Sequence, residues 1–424
     1  MELLEQILST SNLNEAYKRV YRNKGASGVD GVTVQALKSH LKQHKHQIVS
    51  DIRTRRYKPQ PVKRVEIPKD NGKVRKLGIP TVVDRVIQQA INQVLTPIYE
   101  QEFSSSSYGF RPGKSAQEAV IKSLEIINQG YDWIVDIDLE KFFDTVHHDR
   151  LMNIISRTVK DGDVISLIRK FLVSGVMINN KVEDTLIGTP QGGNISPLLS
   201  NIMLNELDKE LEARGLHFVR YADDCIILVG SKKAAQRVMT SITRFIEKTL
   251  GLKVNASKSK IGRPYDIKFL GYSYYHDRKS KDYQLKPHEN SIQKFKRKLK
   301  RLTKRNWGVS LDYRLLKLKQ VILGWVNYFK YGKMKGKLQR IDSTIRARIR
   351  VIIWKQWKVT TRQIKSLVSL GIPIEEAKGL TYCRKGYIHI GRSRVVQRAI
   401  NNSRLKKRGL TSALDHYLKV QTAI

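Results

Sequence analysis

The clearest pattern along the chain is a pair of short apolar runs, each next to two acidic residues. Residues 217–230, HFVRYADDCIILVG, have the pattern of a strand, a tight turn and a second, apolar strand. Residues 133–138, WIVDID, form another apolar run that ends in carboxylates. Because helical spacing occurs between them, at 147–159 and 197–214, the pattern predicts an α+β layer with helices on one face of a sheet.

A second pattern occupies residues 291–360, where apolar residues recur with helical spacing in an otherwise basic segment. The spacing predicts three helices with one apolar seam, at about 291–304, 311–331 and 338–357. Trp325, Tyr328 and Phe329 fall on this seam. Their position favours packing in the core over stacking on nucleic-acid bases.

Charge narrows the possible partners of the protein. The chain has 424 residues and a formal net charge of +41, from 79 Lys and Arg against 38 Asp and Glu. Residues 291–360 alone contain 21 basic and two acidic residues. A surplus of this size indicates a polyanionic partner, with nucleic acid favoured over an anionic membrane. Since no apolar run reaches about 18 residues, we expect no membrane span. Two cysteines cannot build a disulfide framework, which fits a reducing cytoplasm.

The acidic pairs carry the candidate chemistry. Asp136 and Asp138 follow one strand, and Asp223 and Asp224 lie in the turn before another, so pairing of the two strands would bring them together. Crowded carboxylates repel each other unless a cation lies between them, although a solvated turn is the alternative. Oxygen ligands without His or Cys suit Mg²⁺, and two such ions about 4 Å apart would clamp an in-line phosphoryl displacement.

Six segments, taken together, resemble the ordered motifs of reverse transcriptases. The resemblance is closest to the enzymes encoded by group II introns, which also act as intron maturases, and it extends from about residue 20 to residue 360. The segments are LGIPTVVDRVIQQA (77–90), SYGFRPGKSA (107–116), DLEKFFDTV (138–146), GTPQGGNISPLLSNIMLNELD (188–208), YADD (221–224) and FLGYS (269–273).

This resemblance implies a right-hand polymerase with fingers, palm and thumb. We expect four domains: an N-terminal extension with fingers at 1–130, a palm with part of the fingers at 131–290, a basic three-helix thumb or maturase X domain at 291–360, and a small DNA-binding domain at 361–424. Some members also carry a nuclease with paired cysteines. The two isolated cysteines here cannot supply it, so the chain resembles the nuclease-lacking, group IIC-like members.

The resemblance also implies the catalytic residues. Asp138, Asp223 and Asp224 match the acids that hold two Mg²⁺ ions, with Mn²⁺ as a possible substitute. Asp136 shares a strand face with Asp138 by the period of two, so the residues alone leave this choice open and the family register favours Asp138. Asp144 is interpreted as a helix-start residue.

Two further residues are implied to bind the triphosphate. Residues 63–80 resemble a fingers hairpin whose turn is Asn71-Gly72. Lys69 and Arg75 flank that turn and would grip a triphosphate together, although a solvated hairpin pair is the alternative.

Three more residues are implied to contact the incoming nucleotide. Phe143 resembles the bulky gate that excludes a ribose 2′-hydroxyl, with core packing as the alternative. Gln191 resembles a contact to the nucleotide sugar, and the two glycines after it would let the backbone approach a base or the template. Lys258 resembles an acid for the leaving pyrophosphate, and Lys260 is its rival.

Nucleic-acid binding is expected along the basic surfaces. Residues 23–33, NKGASGVDGVT, resemble a glycine-rich loop that covers the template, and a plain connection between two helices is the other interpretation. The candidate RNA- and DNA-binding residues are Lys24, Arg111, Arg297, Arg346, Arg348 and Arg350.

These features predict an RNA-directed DNA polymerase that uses dNTPs and a DNA primer on an RNA template. The resemblance adds a group II intron RNA as partner in splicing, and target DNA for mobility by target-primed reverse transcription. We expect a bacterial cytoplasmic protein that associates with the nucleoid when bound to DNA; the oligomeric state is left open. The alternatives are an intron-independent, retron-like reverse transcriptase of defence or repair, and an RNA-binding splicing factor without polymerase activity.

Overall fold

The computed structural model describes residues 2–68, 72, 74–178, 181–183, 188 and 192–422. The chain forms two compact units, Met1–Pro264 and Tyr265–Ile424. Residues 265–290, which we assigned to the palm, therefore cluster with the basic helices that follow them.

The first unit is a mixture of helices and strands. Its helices are α1 (Leu3–Leu8), α2 (Thr10–Arg22), α3 (Leu37–Arg53), α4 (Val82–Glu100), α5 (Ala116–Asn128), α6 (Phe142–Thr145), α7 (His148–Thr158), α8 (Gly162–Leu172), α9 (Ser196–Ala213) and α10 (Lys232–Phe245). Its strands are β1 (Val62–Pro68), β2 (Val74–Ile79), β3 (Trp133–Ile137), β4 (Val176–Ile178), β5 (Lys181–Glu183), β6 (His217–Tyr221), β7 (Asp224–Val229) and β8 (Lys260–Gly262).

The second unit is mainly helical. Its strands are β9 (Tyr272–His276) and β10 (Tyr283–Pro287), which form an antiparallel hairpin. Its helices are α11 (Glu289–Leu302), α12 (Leu311–Tyr328), α13 (Lys335–Gln356), α14 (Thr360–Ser369), α15 (Ile374–Thr381), α16 (Tyr387–Arg392), α17 (Arg394–Ala399), α18 (Asn402–Lys407) and α19 (Ala413–Gln421). None of the helices in the described part of the chain is both long enough and apolar enough to cross a bilayer.

The central sheet of the first unit has the strand order β6-β7-β3-β8, and each neighbouring pair is antiparallel. Side chains alternate between its faces, so Val135, Ile137 and Ile227 share one face and are fully buried in the main core with α9 and α10. The predicted α+β layer is confirmed, and the strand–turn–strand pattern of 217–230 matches β6 and β7.

A second sheet is built on the hairpin of β1 and β2. Ile67 pairs with Arg75 and Pro68 with Val74, which confirms the predicted hairpin. β1 also pairs in parallel with β4, which pairs with β5. The tip of the hairpin, including Lys69 and Asn71, lies outside the described residues.

The three basic helices predicted for 291–360 are confirmed as α11, α12 and α13. Phe329 is buried at their seam, so the core interpretation is confirmed for this side chain. The partly buried Trp325 ring stacks on buried Phe295 at 4.3 Å between centroids. Within this unit, buried Asp342 of α13 accepts hydrogen bonds from Ser412 Oγ and from the backbone N–H groups of Ala413 and Leu414. This carboxylate thereby fixes the start of α19 on the basic helices.

Candidate active site

The turn between β6 and β7 carries two of the candidate acids. Tyr221 pairs with Asp224 across the hairpin, which leaves Ala222 and Asp223 as a two-residue turn. Ala222 has a φ of +56°, the left-handed conformation that such tight hairpins require. Buried β7 behind the turn fixes its register, because a slip by one residue would bring apolar side chains to the opposite face.

Asp138 lies at the end of the neighbouring strand. The last pair of β3 with β7 is Ile137 with Cys225, so Asp138 and Asp224 are the next residues along the two strands at this end of the ladder. The pairing of the two strands therefore brings together the acids that the sequence separates by more than eighty positions.

Asp138 is held by the segment before β8. Its backbone N–H donates to Ser259 Oγ at 3.0 Å, and its carbonyl accepts from the Asn255 N–H at 2.8 Å. Lys258 donates to both carboxylate oxygens, at 2.9 and 3.2 Å from Nζ. The lysine is largely exposed, so solvent screens the pair.

Asp136 lies on the same sheet face as Asp138, two residues back and opposite Lys260 of β8. Burial raises the pKa of Asp136 to about 6, and the charge of Lys260 opposes that rise. Asp138 is at the open end of the strand, opposite the turn, and this position suits a ligand better than the more enclosed Asp136.

The donor set suits a hard divalent cation. Asp138, Asp223 and Asp224 supply only carboxylate oxygens, the ligands that Mg²⁺ and Mn²⁺ accept. Among the side chains that the structure describes, no three His, Cys, Asp or Glu residues already converge as a metal cluster. The carboxylate of Asp138 is instead paired with the ammonium of Lys258.

A buried ion pair that was not predicted from the sequence supports the turn from behind. Arg220 and Asp208 are both fully buried; Arg220 Nε donates to Asp208 Oδ1 at 2.7 Å. Arg220 Nη1 donates to the Ala222 carbonyl at 3.0 Å and to Asn201 Oδ1 at 3.1 Å. Burial alone would lower the pKa of Arg220, but Asp208 raises it, so the guanidinium stays charged. The available signal was the charged Arg220 directly after the apolar Phe218 and Val219 of the strand.

The segment 104–111, which we call the strap, lies along β6. Ser107 forms a parallel bridge with Arg220, and the Tyr108 N–H donates to the Arg220 carbonyl at 2.8 Å. Arg111 fixes the strap: its guanidinium pairs with Glu100 at 2.9 Å and donates to the Ser107 carbonyl at 2.9 Å. The Arg111 side chain is only 6% exposed. Its predicted role in RNA or DNA binding is therefore corrected to an internal one.

Phe143 and its neighbour Phe142 differ in burial. Phe142 is 2% exposed and packs in the core, whereas Phe143 is half-buried and meets it edge-on at 5.2 Å between centroids. Lys141 before them has a φ of +47°, so the chain turns sharply after β3 and Asp138. Asp144 lies inside the short helix α6, near its start, as interpreted from the sequence.

Two glycines of the GTPQGG segment make close contacts with protein. A Cβ at Gly192, where φ is +123°, would lie 2.6 Å from the Gly78 carbonyl oxygen. A Cβ at Gly193 would lie 2.8 Å from Gln88 Oε1. Packing against β2 and α4 therefore requires glycine at both positions, and the approach to a base or template stays a prediction. Gln191 lies outside the described residues.

The remaining candidates of the first unit are at its surface. Arg75 is exposed on β2, while Lys69, its predicted partner, is outside the described residues. Lys24 is exposed in the loop between α2 and α3. That loop packs on the start of α4, because Arg85 donates to the Ala26 carbonyl and a Cβ at Gly28 would lie 2.6 Å from Thr81 Cα.

The four arginines of the second unit have different environments. Arg297 is exposed on α11 and Arg346 is half-exposed on α13. Arg348 donates to Thr303 Oγ1 at 2.6 Å and to the Thr303 carbonyl at 3.1 Å. Arg350 is 5% exposed and donates to the Ile400 carbonyl at 2.8 Å, so it fastens the C-terminal helices to α13 instead of facing nucleic acid.

Acids at the end of one strand, opposite a Tyr-X-Asp-Asp turn on the next strand, define a metal-dependent nucleotide polymerase. Comparison with known families narrows this class. Residues 67–274 match the family "Reverse transcriptase (RNA-dependent DNA polymerase)", and residues 292–368 match "Group II intron, maturase-specific domain". The chain belongs to the reverse transcriptases that carry a group II intron maturase domain. Its α+β first unit and basic helices fit the right-hand polymerase fold.

Curated relatives agree with this assignment. The chain is 34% identical over 311 residues to Protein YkfC of Escherichia coli (strain K12), covering 64% of this chain and 82% of that protein. It is 32% identical to the group II intron-encoded protein LtrA of Lactococcus lactis subsp. cremoris, covering 61% of this chain and 54% of LtrA. It is 31% identical to the putative COX1/OXI3 intron 2 protein of Saccharomyces cerevisiae, covering 61% of this chain and 37% of that protein. The chain thus spans about half of LtrA and less of the yeast protein.

Proposed function

We propose that the protein is an RNA-directed DNA polymerase that also binds a group II intron RNA and assists its splicing and mobility. The observation that supports the polymerase proposal is the register of β3 on β7, which brings Asp138 and Asp224 to the same end of the paired strands, at the β6–β7 turn. The substrates in this proposal are dNTPs and a DNA primer on an RNA template, and mobility adds target DNA.

The acids of the site would hold two Mg²⁺ ions, with Mn²⁺ as a substitute; when bound, these ions supply the activation of the primer 3′-hydroxyl and neutralise the triphosphate. Asp138, Asp223 and Asp224 fix the place of that chemistry, because all three lie at strand ends that the core holds rigidly. With a cation on Asp138, the Lys258 ammonium would no longer be needed to neutralise that carboxylate. Its ammonium is then available to donate a proton to the leaving pyrophosphate.

Three more residues complete the nucleotide site in this proposal. Arg75 and Lys69 bind the triphosphate, and Gln191 contacts the sugar. Arg75 presents a fork of donors from the exposed face of the β1–β2 hairpin. Phe143 lies five residues after Asp138 with part of its ring exposed, which suits contact with the deoxyribose.

Phe143→Ala is expected to raise ribonucleotide incorporation relative to deoxynucleotide incorporation by on the order of tenfold, because a smaller side chain leaves room for a 2′-hydroxyl. The measurement is the ratio of kcat/KM for rNTP and dNTP at one template position. Phe142→Ala is the matched control: it removes the buried neighbour, so it should lower stability without changing the ratio. Unchanged sugar preference in a folded Phe143→Ala protein would support a packing role for this ring.

The maturase role rests on the basic second unit. Lys319, Arg346, Lys406 and Lys419 line one groove of about 610 Å³, between α13 and the C-terminal helices. Lys296, Lys300, Lys337 and Arg340 line another, of about 470 Å³, between α11 and α13. Together with exposed Arg297 these side chains offer a surface for an intron RNA, and residues 361–424 extend it toward target DNA. Such partners would place the protein in the bacterial cytoplasm and on the nucleoid.

RNA binding is expected to depend steeply on salt, because each neutralised phosphate releases counterions. With about five phosphate contacts, log K should fall with log[salt] at a slope of roughly −4 between 50 and 500 mM. Lys319→Ala/Arg346→Ala/Lys419→Ala should make that slope shallower by about two to three. Lys232→Ala/Lys233→Ala/Arg237→Ala on α10 removes the same charge from the first unit and serves as control. The assignment of RNA affinity to the groove would be contradicted if log K did not change with salt. It would also be contradicted if both triple variants changed the slope equally.

The two activities are separated by testing the same variants in splicing of the intron RNA at low magnesium. The Lys319/Arg346/Lys419 variant should lose maturase activity and retain short primer extension at a saturating duplex concentration. Loss of extension with normal splicing would place the RNA-binding surface elsewhere.

A further inference from the structure

Phe110 has three properties that do not occur together in an ordinary surface residue. The residue is 55% exposed, although it is a large aromatic. Its φ is +58°, a left-handed conformation that is unfavourable for a bulky side chain. It also lies next to the catalytic turn, with its ring centroid 6.4 Å from that of Tyr221.

The strap leaves the backbone of Phe110 little freedom. A Cβ at Gly109 would lie 2.2 Å from the Ala222 nitrogen, so the strap is pressed against the turn itself. Asn201 Nδ2, which is buried, donates to the Gly109 carbonyl at 2.8 Å. On the other side, Arg111 is locked on Glu100 and the Ser107 carbonyl. The fold thus over-determines an unfavourable conformation, and such conformations cluster at functional sites.

The same buried network holds both the strap and the turn. Asn201 accepts from Arg220 and donates to Gly109, and Arg220 also donates to the Ala222 carbonyl. Phe110 is therefore positioned relative to Asp223 and Asp224 by a chain of buried hydrogen bonds. A shift of the turn would move the aromatic ring with it.

We infer that Phe110 and Tyr221 form an apolar platform for the terminal base pair of the primer–template duplex. This inference rests on the proposed polymerase function. Helices that contain RNA present a wide, shallow minor groove with sugars and base edges, and flat aromatic rings can pack against such a surface independently of sequence. An aromatic pair beside the acids would hold the primer 3′ end where nucleotide addition occurs. Phe110 is then a positioning residue, acting on the primer and not on the metals.

The conformation of Phe110 allows a test in which function and stability move in opposite directions. Glycine adopts the left-handed region without penalty, so Phe110→Gly should leave the melting temperature unchanged or raise it. Loss of one aromatic contact to a base should weaken use of the primer–template by on the order of tenfold. Phe110→Tyr keeps the ring and should behave like the parent protein. Tyr21→Ala, which removes another exposed aromatic of the first unit, is the control.

The experiment uses the full chain and a DNA primer annealed to an RNA template. Primer–template affinity is measured in the Asp223→Ala/Asp224→Ala background, where no extension interferes, and extension is measured in the active protein. We expect Phe110→Gly to lower affinity and extension about tenfold, with Tyr21→Ala unchanged. The inference is overturned if Phe110→Gly has the same extension and affinity as the parent protein. It is also overturned if this variant loses activity in parallel with a lowered melting temperature. If the parent protein binds the duplex through Phe110 but never extends it, the proposed function fails and the platform stands.

Discussion

Asp223→Ala/Asp224→Ala is expected to reduce primer extension by about a thousandfold or more, because it removes the carboxylates that hold the catalytic cations beside the primer terminus. Affinity for RNA should stay the same or rise slightly, since two negative charges that repel phosphate are removed. Folding should also be preserved, because Asp223 lies in the turn and Asp224 is exposed. The measurement pairs single-turnover extension with equilibrium RNA binding on the same preparation.

Asp144→Ala provides the matched control for that variant. Asp144 is an exposed acid six residues after Asp138, on α6, and we assign it no metal. Its loss should leave extension within about twofold of the parent value, a change of about 0.4 kcal/mol. Undiminished extension by the double-alanine protein, or loss of RNA binding in a protein that remains folded, would contradict the separation of the two activities.

The second large effect is expected at the buried ion pair behind the turn. Asp208→Ala leaves the Arg220 guanidinium buried in the core without its carboxylate, and breaking a buried pair on one side costs about 3–5 kcal/mol of stability. The measurement is the free energy of unfolding of the first unit by denaturant. Glu125→Ala, which breaks an exposed pair with Lys122 at 3.1 Å, should change stability by less than about 1 kcal/mol. A comparably small effect of Asp208→Ala would show that the pair contributes little.

Replacing both partners tests the positioning role separately from stability. Asp208→Leu/Arg220→Met removes both charges and should recover much of the lost stability, because two apolar side chains can fill the space. It also removes the donor to the Ala222 carbonyl, so extension should remain impaired in a folded protein. Full recovery of both stability and extension would limit the role of Arg220 to folding.

Much of the architecture could be predicted from the sequence because its signals are local. The apolar strands around the acids and the helical seam of 291–360 depend on periodicity, and the structure confirms both. The pairing of Asp138 with the β6–β7 turn could be expected only as a possibility, since periodicity does not specify which strands are neighbours. Strand order β6-β7-β3-β8 supplied that information.

Assignments to single arginines were less successful, because charge does not reveal burial. Arg111 and Arg350 look like surface cations in sequence, yet both are fixed by internal partners. Their partners, Glu100 and the Ile400 carbonyl, are 11 and 50 residues away, and no local pattern connects them. No local pattern connects Arg220 with Asp208 either. Gly192 likewise packs against the carbonyl of Gly78, which is distant in sequence.

The central claim is that the first unit polymerises DNA on an RNA template. Its most direct test is extension of a DNA primer annealed to an RNA template by the purified full chain, with dNTPs and a titration of Mg²⁺. We predict a DNA product that lengthens to the template end, that requires the divalent ion, and that is abolished by chelation and restored by Mg²⁺ or Mn²⁺. Binding of the duplex without any extension across the titration, by a protein that is folded, would contradict the claim.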